Sequence, residues 1–273
     1  MLENGSTDGS YEAIRHEFPE VRLVPLARNL GYAGNNNVGL AEALSAGADW
    51  ILLLNEDTVV APDCLSKLIE AGEADPRIGI AGPMVYHFDA PHVIQSAGGT
   101  LDWAWSGTHI GQNELDCGQY RQVRPVDWIS GCGILVRAAT LREVGGLDER
   151  YFYYWEETEL CLRASAHGWK VVHVPSARIW HKGVQIDYRP SPTVTYYSTR
   201  NRLLTLSKHH APAVVWLGAC LQLARTLTSW SLRPKWRDRR THRDAMWQGI
   251  ADYWRGRFGK RPETESTAKT HFA

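Results

Sequence analysis

An amide and two acidic side chains follow a short apolar run and could bind a charged ligand. Residues 51–54 are all Ile or Leu, and Asn55, Glu56 and Asp57 come directly after them. Such a run is typical of a strand buried on both faces, and open α/β sheets bind ligands just beyond the carboxyl ends of these strands. Hard divalent cations prefer oxygen ligands, so this group could hold a cation against a phosphate. The alternative is a solvated turn, since Pro62 is typical of a loop and helix start.

A second acidic group follows an aromatic run. Glu156, Glu157 and Glu159 come after five consecutive aromatic residues at 151–155. The helix dipole favours carboxylates at a helix start, so simple capping is one interpretation. Aromatic surroundings also desolvate a carboxylate and raise its pKa, as a general base working near neutral pH requires. This sequence context favours a catalytic role over capping.

Two further side chains are candidates for binding a metal or an anion. His181 follows a short predicted strand, so it is either a metal ligand at a strand end or a structural histidine. Arg200 lies beside Asn201 on a predicted helix. It is either a clamp on an anionic leaving group or part of a solvated helix face.

Alternating elements must bring these residues together. The pattern of apolar residues predicts a parallel α/β sheet, because strands and helices alternate along the first half of the chain. A glycine-punctuated turn is predicted at 31–34. Strands are predicted at 21–26, 50–54, 78–85, 128–136, 170–174 and 179–181, and helices at 11–18, 36–46, 64–71, 157–167 and 193–208.

The composition changes twice along the chain. Residues 95–127 are rich in Gly and Trp, which predicts hairpins and an irregular loop. No strand signal follows about Ser191, and the next helix carries an apolar stripe at helical spacing. We therefore divide the chain into a catalytic domain at 1–190, a helical segment rich in Trp and basic residues at 191–261, and a disordered tail at 262–273.

The helical segment suggests contact with a membrane surface. Tryptophan and basic residues on amphipathic helices are typical of an interfacial helix on an anionic membrane. A spanning helix is not expected, because Gln222 and Arg225 interrupt the apolar stretch at 211–232. The alternatives are a helical lid on the catalytic domain or a homo-oligomer contact. No recognition motif accompanies the basic run, so nucleic acid is not an expected partner.

Composition indicates a globular, intracellular protein. The 273 residues carry a formal net charge of zero, and five scattered cysteines show no metal or disulfide spacing. The N-terminal residues lack the pattern of a signal peptide. We expect a reducing, cytoplasmic location. A cytoplasmic protein could also attach peripherally to the inner face of the plasma membrane.

Over residues 3–205 the sequence resembles the family 2 glycosyltransferases, in their bacterial rhamnosyltransferase-like subgroup. Each matching stretch is weak alone, but their order and spacing together are specific. The stretches are 3–10, 29–39, 53–58, 128–131, 145–149, 156–163, 181–183 and 200–201.

The resemblance implies a GT-A fold with a Rossmann-like, mostly parallel sheet, and inverting transfer from a nucleotide-sugar donor. Asp57 would hold Mg²⁺ or Mn²⁺ on the donor diphosphate, and His181 could join that site. Glu157 would be the base for the acceptor hydroxyl, with Glu156 as its neighbour. The donor and nucleotide would be bound by Glu3, Asn29, Gly34, Asn36, Asp57, Gly131 and Arg200.

The sequence departs from the family pattern at three places. The family's usual first strand and helix do not precede Glu3, which implies a fragment or a misassigned start, or else a donor site built differently. Glu3 itself stands where Asp is more common. Asn55 replaces the first Asp of the metal motif. Glu157 stands where Asp is usual, which would move the base by about one methylene.

The expected function is sugar transfer, with rhamnose as one candidate sugar, to a glycan or lipid-linked acceptor of bacterial cell-surface polysaccharide synthesis. One alternative is a catalytically silent, glycosyltransferase-like binding or scaffold protein at the membrane. A nucleotidyltransferase is a weaker alternative, because no glycine-rich, basic nucleotide signature is present.

Overall fold

A computed structural model describes residues 1–262, so the predicted tail lies almost wholly outside the described residues. The chain forms a central sheet with helices on both faces, followed by a group of helices. The strands are β1 (Leu2–Glu3), β2 (Val24–Pro25), β3 (Trp50–Leu54), β4 (Thr58–Val60), β5 (Ile78–His87), β6 (Ile94–Ser96), β7 (Gly99–Leu101), β8 (Gly107–His109), β9 (Arg124–Pro125), β10 (Gly133–Arg137) and β11 (Lys170–His181). The helices are α1 (Ser10–Glu17), α2 (Gly31–Ser45), α3 (Cys64–Glu73), α4 (Ala138–Val144), α5 (Glu156–Ala166), α6 (Pro192–Lys208), α7 (Ala213–Leu232) and α8 (Arg240–Trp254), with a 3₁₀ helix at Pro234–Arg239.

The central sheet is mixed, with main strand order β3-β10-β5-β11-β4. Strand β10 is antiparallel to both of its neighbours, whereas β11 is parallel to β5. It follows that β3, β5 and β11 run in the same direction, while β10 and β4 run against them. The α/β class is therefore confirmed. The carboxyl ends of β3, β5 and β11 meet the start of β10 at one edge.

Strand β3 packs on both faces, as its apolar sequence predicts. Ile51 and Leu53 join the core that contains α2, α4 and α5, whereas Trp50 and Leu52 contact the core under α3. Successive strand residues point to opposite faces, so the whole run is needed to join the two layers.

Several elements differ from their predicted bounds. The predicted strand at 21–26 is reduced to β2, which pairs in parallel with β1 outside the central sheet. The predicted turn at 31–34 is the first turn of α2, because the Asn29 side chain accepts a hydrogen bond from the Gly31 N–H at 2.7 Å. Of the strand predicted at 128–136, only the part from Gly133 onward forms a strand, as β10. The two strands predicted at 170–181 are one strand with a register shift after Val174.

The C-terminal helices pack on the sheet domain and on each other. The apolar stripe predicted for α7 is only partly covered: Leu227 is buried, while Leu217 and Leu221 are exposed. Among residues 1–262, no helix has both the length and the apolar character needed to cross a membrane.

Gly31 gives a test of the contact between α2 and the loop before α5. Its φ is +74°, and an added Cβ would lie 2.3 Å from the Phe152 carbonyl oxygen. We expect Gly31→Ala to lower the free energy of unfolding by at least about 3 kcal/mol, since left-handed strain alone costs about 1–2 kcal/mol. Gly47→Ala is the control, because Gly47 has φ +80° with open space around it. Equal losses in urea unfolding would contradict the contact.

Candidate active site

Asp57 and His181 meet at the edge where β3 and β11 end. The Asp57 Oδ1 atom lies 3.2 Å from His181 Nε2, and contact with this ring lowers the pKa of the Asp57 carboxyl. On its other side the imidazole Nδ1 lies 3.1 Å from Nε2 and 3.3 Å from Oε1 of the Gln95 amide. Gln95 can therefore pair with either ring tautomer and fixes the ring plane.

The donor set at Asp57 fits a divalent cation. Oδ1 is buried without a well-aligned hydrogen-bond donor, and a Cβ at Gly183 would lie 2.2 Å from Oδ2. The missing side chain at Gly183 therefore leaves room for the Asp57 carboxylate in this position. Among residues 1–262 no group of three or more His, Cys, Asp or Glu side chains could hold a metal. Mg²⁺ commonly uses one or two carboxylates and completes its shell with water and substrate phosphates.

The site contains two acidic pairs: Glu56 and Asp57 follow β3, and Glu156 and Glu157 begin α5. The second pair lies in a desolvated setting. Glu156 is 4% exposed, and its Oε2 atom has no hydrogen-bond partner. Burial, followed by the charge of Glu157, raises the pKa of Glu156 well above its ordinary value. Burial also raises the pKa of Glu157 to about 7. This value suits proton transfer near neutral pH.

Two side chains, Cys132 and Tyr153, lie close enough to both acidic pairs for the charges of both to affect their pKa values. Burial raises the pKa of Cys132 to about 12, and the charges of Asp57 and Glu157 both add to this effect. Burial likewise raises the pKa of Tyr153 to about 12, with contributions from Glu156 and Asp57. Both pairs therefore act on the same two side chains.

Tyr32 connects α2 to this site. Its hydroxyl donates to the Gly131 carbonyl, and its pKa is raised first by burial and then by Glu156 and Glu157. The ring also makes an edge contact with Tyr153, with centroids 6.4 Å apart. Gly131 thus lies next to the acidic pair of α5.

The loop before α5 has an uncommon backbone. Phe152, Tyr154 and Trp155 have φ values of 64°, 67° and 78°, in the left-handed region that large side chains seldom adopt. Such a conformation persists only where its surroundings hold it. On one side the loop is held by the Tyr32 N–H, which donates to the Phe152 carbonyl at 2.7 Å.

On the other side, Arg200 and Asn201 of α6 bind the carbonyls of this loop. The Asn201 amide donates to Tyr151, Tyr153 and Tyr154 at 2.9, 2.9 and 2.7 Å. Arg200 Nη2 donates to the carbonyls of Arg150 and Tyr151, at 3.2 and 2.9 Å. Both α6 side chains are 0% exposed. They therefore fix the start of α5 and with it the acidic pair.

This arrangement corrects the prediction for Arg200. The guanidinium is buried and its other contacts are also internal, to the Gly259 carbonyl, the Tyr196 hydroxyl and the Asn201 side chain. It does not reach solvent, because the rings of Tyr196, Tyr197 and Phe258 lie against it. The solvated helix face was therefore wrong for this residue, while its role as a clamp on the leaving group stays a prediction.

The other predicted donor-binding residues have local roles. The Glu3 carboxylate is buried and accepts hydrogen bonds from Gly5 and Ser6 N–H groups, at 3.2 and 2.7 Å. Asn36 donates to the Tyr32 carbonyl at 2.9 Å within α2. Gly34 is buried, and an added Cβ there would lie 2.7 Å from the Leu30 Cβ. Of the predicted set, Asp57, His181, Glu156, Glu157 and Gly131 come together, while the donor-binding role of Glu3, Asn29, Gly34 and Asn36 stays a prediction.

The third acid of the second group is structural. Burial opposes ionisation of Glu159, but hydrogen bonds from His209 and Arg163 and the charge of Lys208 lower its pKa to about 2. Its oxygens lie 2.8–3.1 Å from these three side chains. Glu159 therefore joins α5 to the end of α6.

Sequence reasoning missed Gln95, Tyr32 and Tyr153 as parts of the site. Tyr153 belongs to the aromatic run that was noted, and Tyr32 lies in the glycine- and asparagine-rich stretch, so both had a local signal. Gln95 had none, because only the pairing of β6 with β5 brings it to His181.

A family model described as "Glycosyltransferase like family 2" matches residues 4–203. This match spans most of the chain and includes both acidic pairs and the Arg200–Asn201 pair. The chain belongs to glycosyltransferase family 2. The resemblance noted from the sequence motifs is thereby confirmed.

Curated relatives in this glycosyltransferase family include rhamnosyltransferases. The chain is 36% identical over 201 residues to an N-acetylglucosaminyl-diphospho-decaprenol L-rhamnosyltransferase of Mycobacterium tuberculosis, over 66% of this chain and 65% of the relative. It is 25% identical over 208 residues to a dTDP-rhamnosyl transferase of Shigella flexneri, over 73% of this chain and 67% of that protein. The chain thus spans about two thirds of the length of these relatives.

Solved glycosyltransferases share the fold. A mannosyltransferase of Pyrobaculum calidifontis in complex with GDP-Man and Mn²⁺ matches 93% of this chain and 76% of its own, with TM-score 0.55 and 14% identity. GalNAc-T7 with UDP, GalNAc and Mn²⁺ matches 74% of this chain and 39% of its own, with TM-score 0.54 and 15% identity. The predicted GT-A fold is confirmed.

Asn201 tests the support of the loop before α5. We expect Asn201→Leu to lower the free energy of unfolding by about 3 kcal/mol, because it removes three hydrogen bonds and leaves the Tyr153 and Tyr154 carbonyls without this donor, while Arg200 still binds the Tyr151 carbonyl. Asn36→Leu removes one hydrogen bond inside α2 and should cost about 1 kcal/mol. Urea unfolding of both variants checks this. Similar losses would show that the loop does not depend on Asn201.

The raised pKa of Glu157 predicts a pH dependence of stability. The folded state keeps a proton on Glu157 between pH 4.5 and about 7, where the unfolded chain has lost it. Stability contributed by this group therefore falls as pH rises through that window, by up to about 3 kcal/mol. Glu157→Gln should remove the part of the fall that comes from this group and leave the part that comes from Glu156, whose pKa is also raised, whereas Glu70→Gln on the surface of α3 should keep both parts. Parallel curves of unfolding free energy against pH for wild type and Glu157→Gln would contradict this assignment.

Proposed function

We propose that this protein is an inverting glycosyltransferase that moves a sugar from a nucleotide-diphosphate donor to a hydroxyl of a lipid-linked glycan. The observation that carries the proposal is the meeting of two unlike acidic pairs at one sheet edge. The Asp57 pKa is lowered by His181 and the Glu157 pKa is raised by burial, so one stays ionised while the other exchanges protons near pH 7.

Glu157 is the proposed base. The acceptor hydroxyl oxygen forms a bond to the anomeric carbon while its proton passes to Glu157. The bond from that carbon to the donor diphosphate breaks on the opposite face, and the nucleoside diphosphate leaves with the electron pair. A single displacement of this kind inverts the anomeric centre. Glu156 keeps its proton, since its pKa is raised well above the ordinary range.

Asp57 and His181 are the proposed ligands for Mg²⁺ or Mn²⁺. The Oδ1 atom, which lacks a well-aligned donor, and the room that Gly183 leaves for Oδ2 support this assignment. The bound cation supplies positive charge to the departing diphosphate. Gln95 holds the His181 ring, and Gly131, beside the acidic pair of α5, is a proposed contact of the donor.

Rhamnose is the proposed sugar and a polyprenyl-diphosphate-linked N-acetylglucosamine the proposed acceptor. The mycobacterial relative is named for both this sugar and this acceptor, and the Shigella relative is also a rhamnosyl transferase. The product would enter cell-surface polysaccharide synthesis. A membrane-embedded acceptor also implies that the enzyme works as a peripheral protein at the inner face of the plasma membrane.

Transfer from dTDP-rhamnose to a short-chain lipid-diphosphate N-acetylglucosamine, followed by mass spectrometry, tests the proposal. We expect Glu157→Gln to lower the rate at least about 100-fold, and Asp57→Ala to remove the response to Mg²⁺ or Mn²⁺. Activity should fall as pH drops below about 7, because the base becomes protonated. Glu56→Gln, at an exposed neighbour, is the control.

Two results would count against the enzyme. If no nucleotide sugar raises the melting temperature and none is consumed, the silent binding protein replaces it. If another nucleotide sugar is used but dTDP-rhamnose is not, the transferase stands and the sugar assignment is wrong.

A further inference from the structure

Helix α7 has one buried face and one apolar face open to solvent. Val215, Ala219 and Leu227 are buried against the neighbouring helices. On the opposite side Val214, Leu217, Leu221 and Leu232 are 61%, 59%, 57% and 76% exposed. Their spacing puts these four residues, called here the α7 face, on one line along a helix about 30 Å long. An exposed apolar line of this length is typical of an interaction surface.

An exposed tryptophan extends the α7 face. Trp103 is 61% exposed, and its ring lies directly on Gly218, where an added Cβ would be 2.3 Å from the indole. Gln222 of α7 donates to Asp102 at 3.2 Å and accepts from Arg202 at 2.8 Å. These bonds hold the loop that carries Trp103 beside the exposed leucines.

The chain beyond the middle of α7 carries uncompensated positive charge. Five cations are exposed there, and none of them has a carboxylate partner among residues 1–262: Arg225, Arg233, Lys235, Arg237 and Arg240. The acid in the same stretch, Asp238, already pairs with Arg239. Arg225 lies on the same line of α7 as Leu221, so apolar and basic groups share one side of the helix.

We propose that the α7 face, with Trp103 and the five cations, docks on an anionic lipid surface. Leucine side chains enter the acyl boundary, tryptophan prefers the interface, and arginine pairs with lipid phosphates. An exposed apolar line bordered by unpaired cations of one sign has the charge complementarity that such a surface requires. A second copy of this chain would bring like charges together.

The docked orientation places the membrane next to the candidate site. Trp103 lies at the tip of the β7–β8 hairpin, and Trp128 packs on the base of this hairpin against Gly99. Trp128 precedes Gly131, which lies beside the acidic pair of α5. Only this orientation rests on the proposed function. The lipid contact itself does not depend on transferase activity.

Co-sedimentation of the full chain with vesicles tests the docking. We expect binding to vesicles of phosphatidylcholine mixed with phosphatidylglycerol, and little binding to phosphatidylcholine alone. Leu217→Gln with Leu221→Gln should weaken binding about 100-fold, because two side chains no longer enter the lipid. Arg233→Gln with Arg237→Gln should weaken it about 25-fold, at about five-fold per charge.

Matched controls lie on other helices. Leu65→Gln of α3 and Arg142→Gln of α4 also change exposed side chains, and both should bind vesicles as wild type does. The Leu217 and Leu221 variant should keep transfer to a water-soluble acceptor but lose it on vesicle-embedded acceptor. If the wild-type protein binds vesicles but transfers no sugar to either acceptor, the proposed function is wrong and the docking proposal stands.

Three outcomes would overturn the docking. Wild-type protein could fail to sediment with anionic vesicles, or the α7 and control variants could bind equally. Sedimentation equilibrium could also show a dimer that Leu217→Gln with Leu221→Gln converts to monomer without any vesicle binding. That last result would make the α7 face a contact between two copies of this chain.

Discussion

The candidate site depends on the hydrogen bonds that Arg200 and Asn201 donate to the loop before α5. Three aromatic residues of this loop adopt left-handed backbone, each at a cost of about 1–3 kcal/mol. The loop keeps this shape because its inward carbonyls find donors that are fully buried and cannot be replaced by water. The same bonds fix the first turn of α5. A helix of the C-terminal half thereby determines where the acidic pair of the sheet domain lies.

The site separates two kinds of carboxylate by their surroundings. Asp57 lies at the open sheet edge beside His181, so its charged form is favoured. Glu157 is desolvated by burial at the start of α5, so its charged form is disfavoured. The charges of both regions act on Tyr153 and Cys132, which places the two acids in one site. The two carboxylates differ in pKa because Glu157 is desolvated and Asp57 lies beside the His181 ring. The difference between Asp and Glu as residue types is not needed to explain it.

Much of the scaffold could be predicted from local pattern, and the exceptions have physical reasons. The apolar run of β3 and the periodicity of α3, α5 and α6 identified these elements. The direction of β10 could not be predicted, because a long excursion precedes it and either edge or direction satisfies its apolar sequence. The start of α2 was missed because Gly31 and Gly34, which are typical of a turn, lie in its first turn, where the Asn29 side chain accepts a hydrogen bond from the Gly31 N–H. The division at residue 190 separates α6 from the loop that it holds.

The sequence by itself determined the family, the order of the motifs and the two acidic pairs, because these are properties of residue type and spacing. Tertiary structure decided which polar groups face the site. Arg200 matched a family motif, yet burial makes it a support for the loop. Gln95 had no motif, yet strand pairing brings it to His181. Helical spacing likewise placed apolar residues along α7 but could not show which of them are covered, since burial depends on the neighbours that the fold supplies.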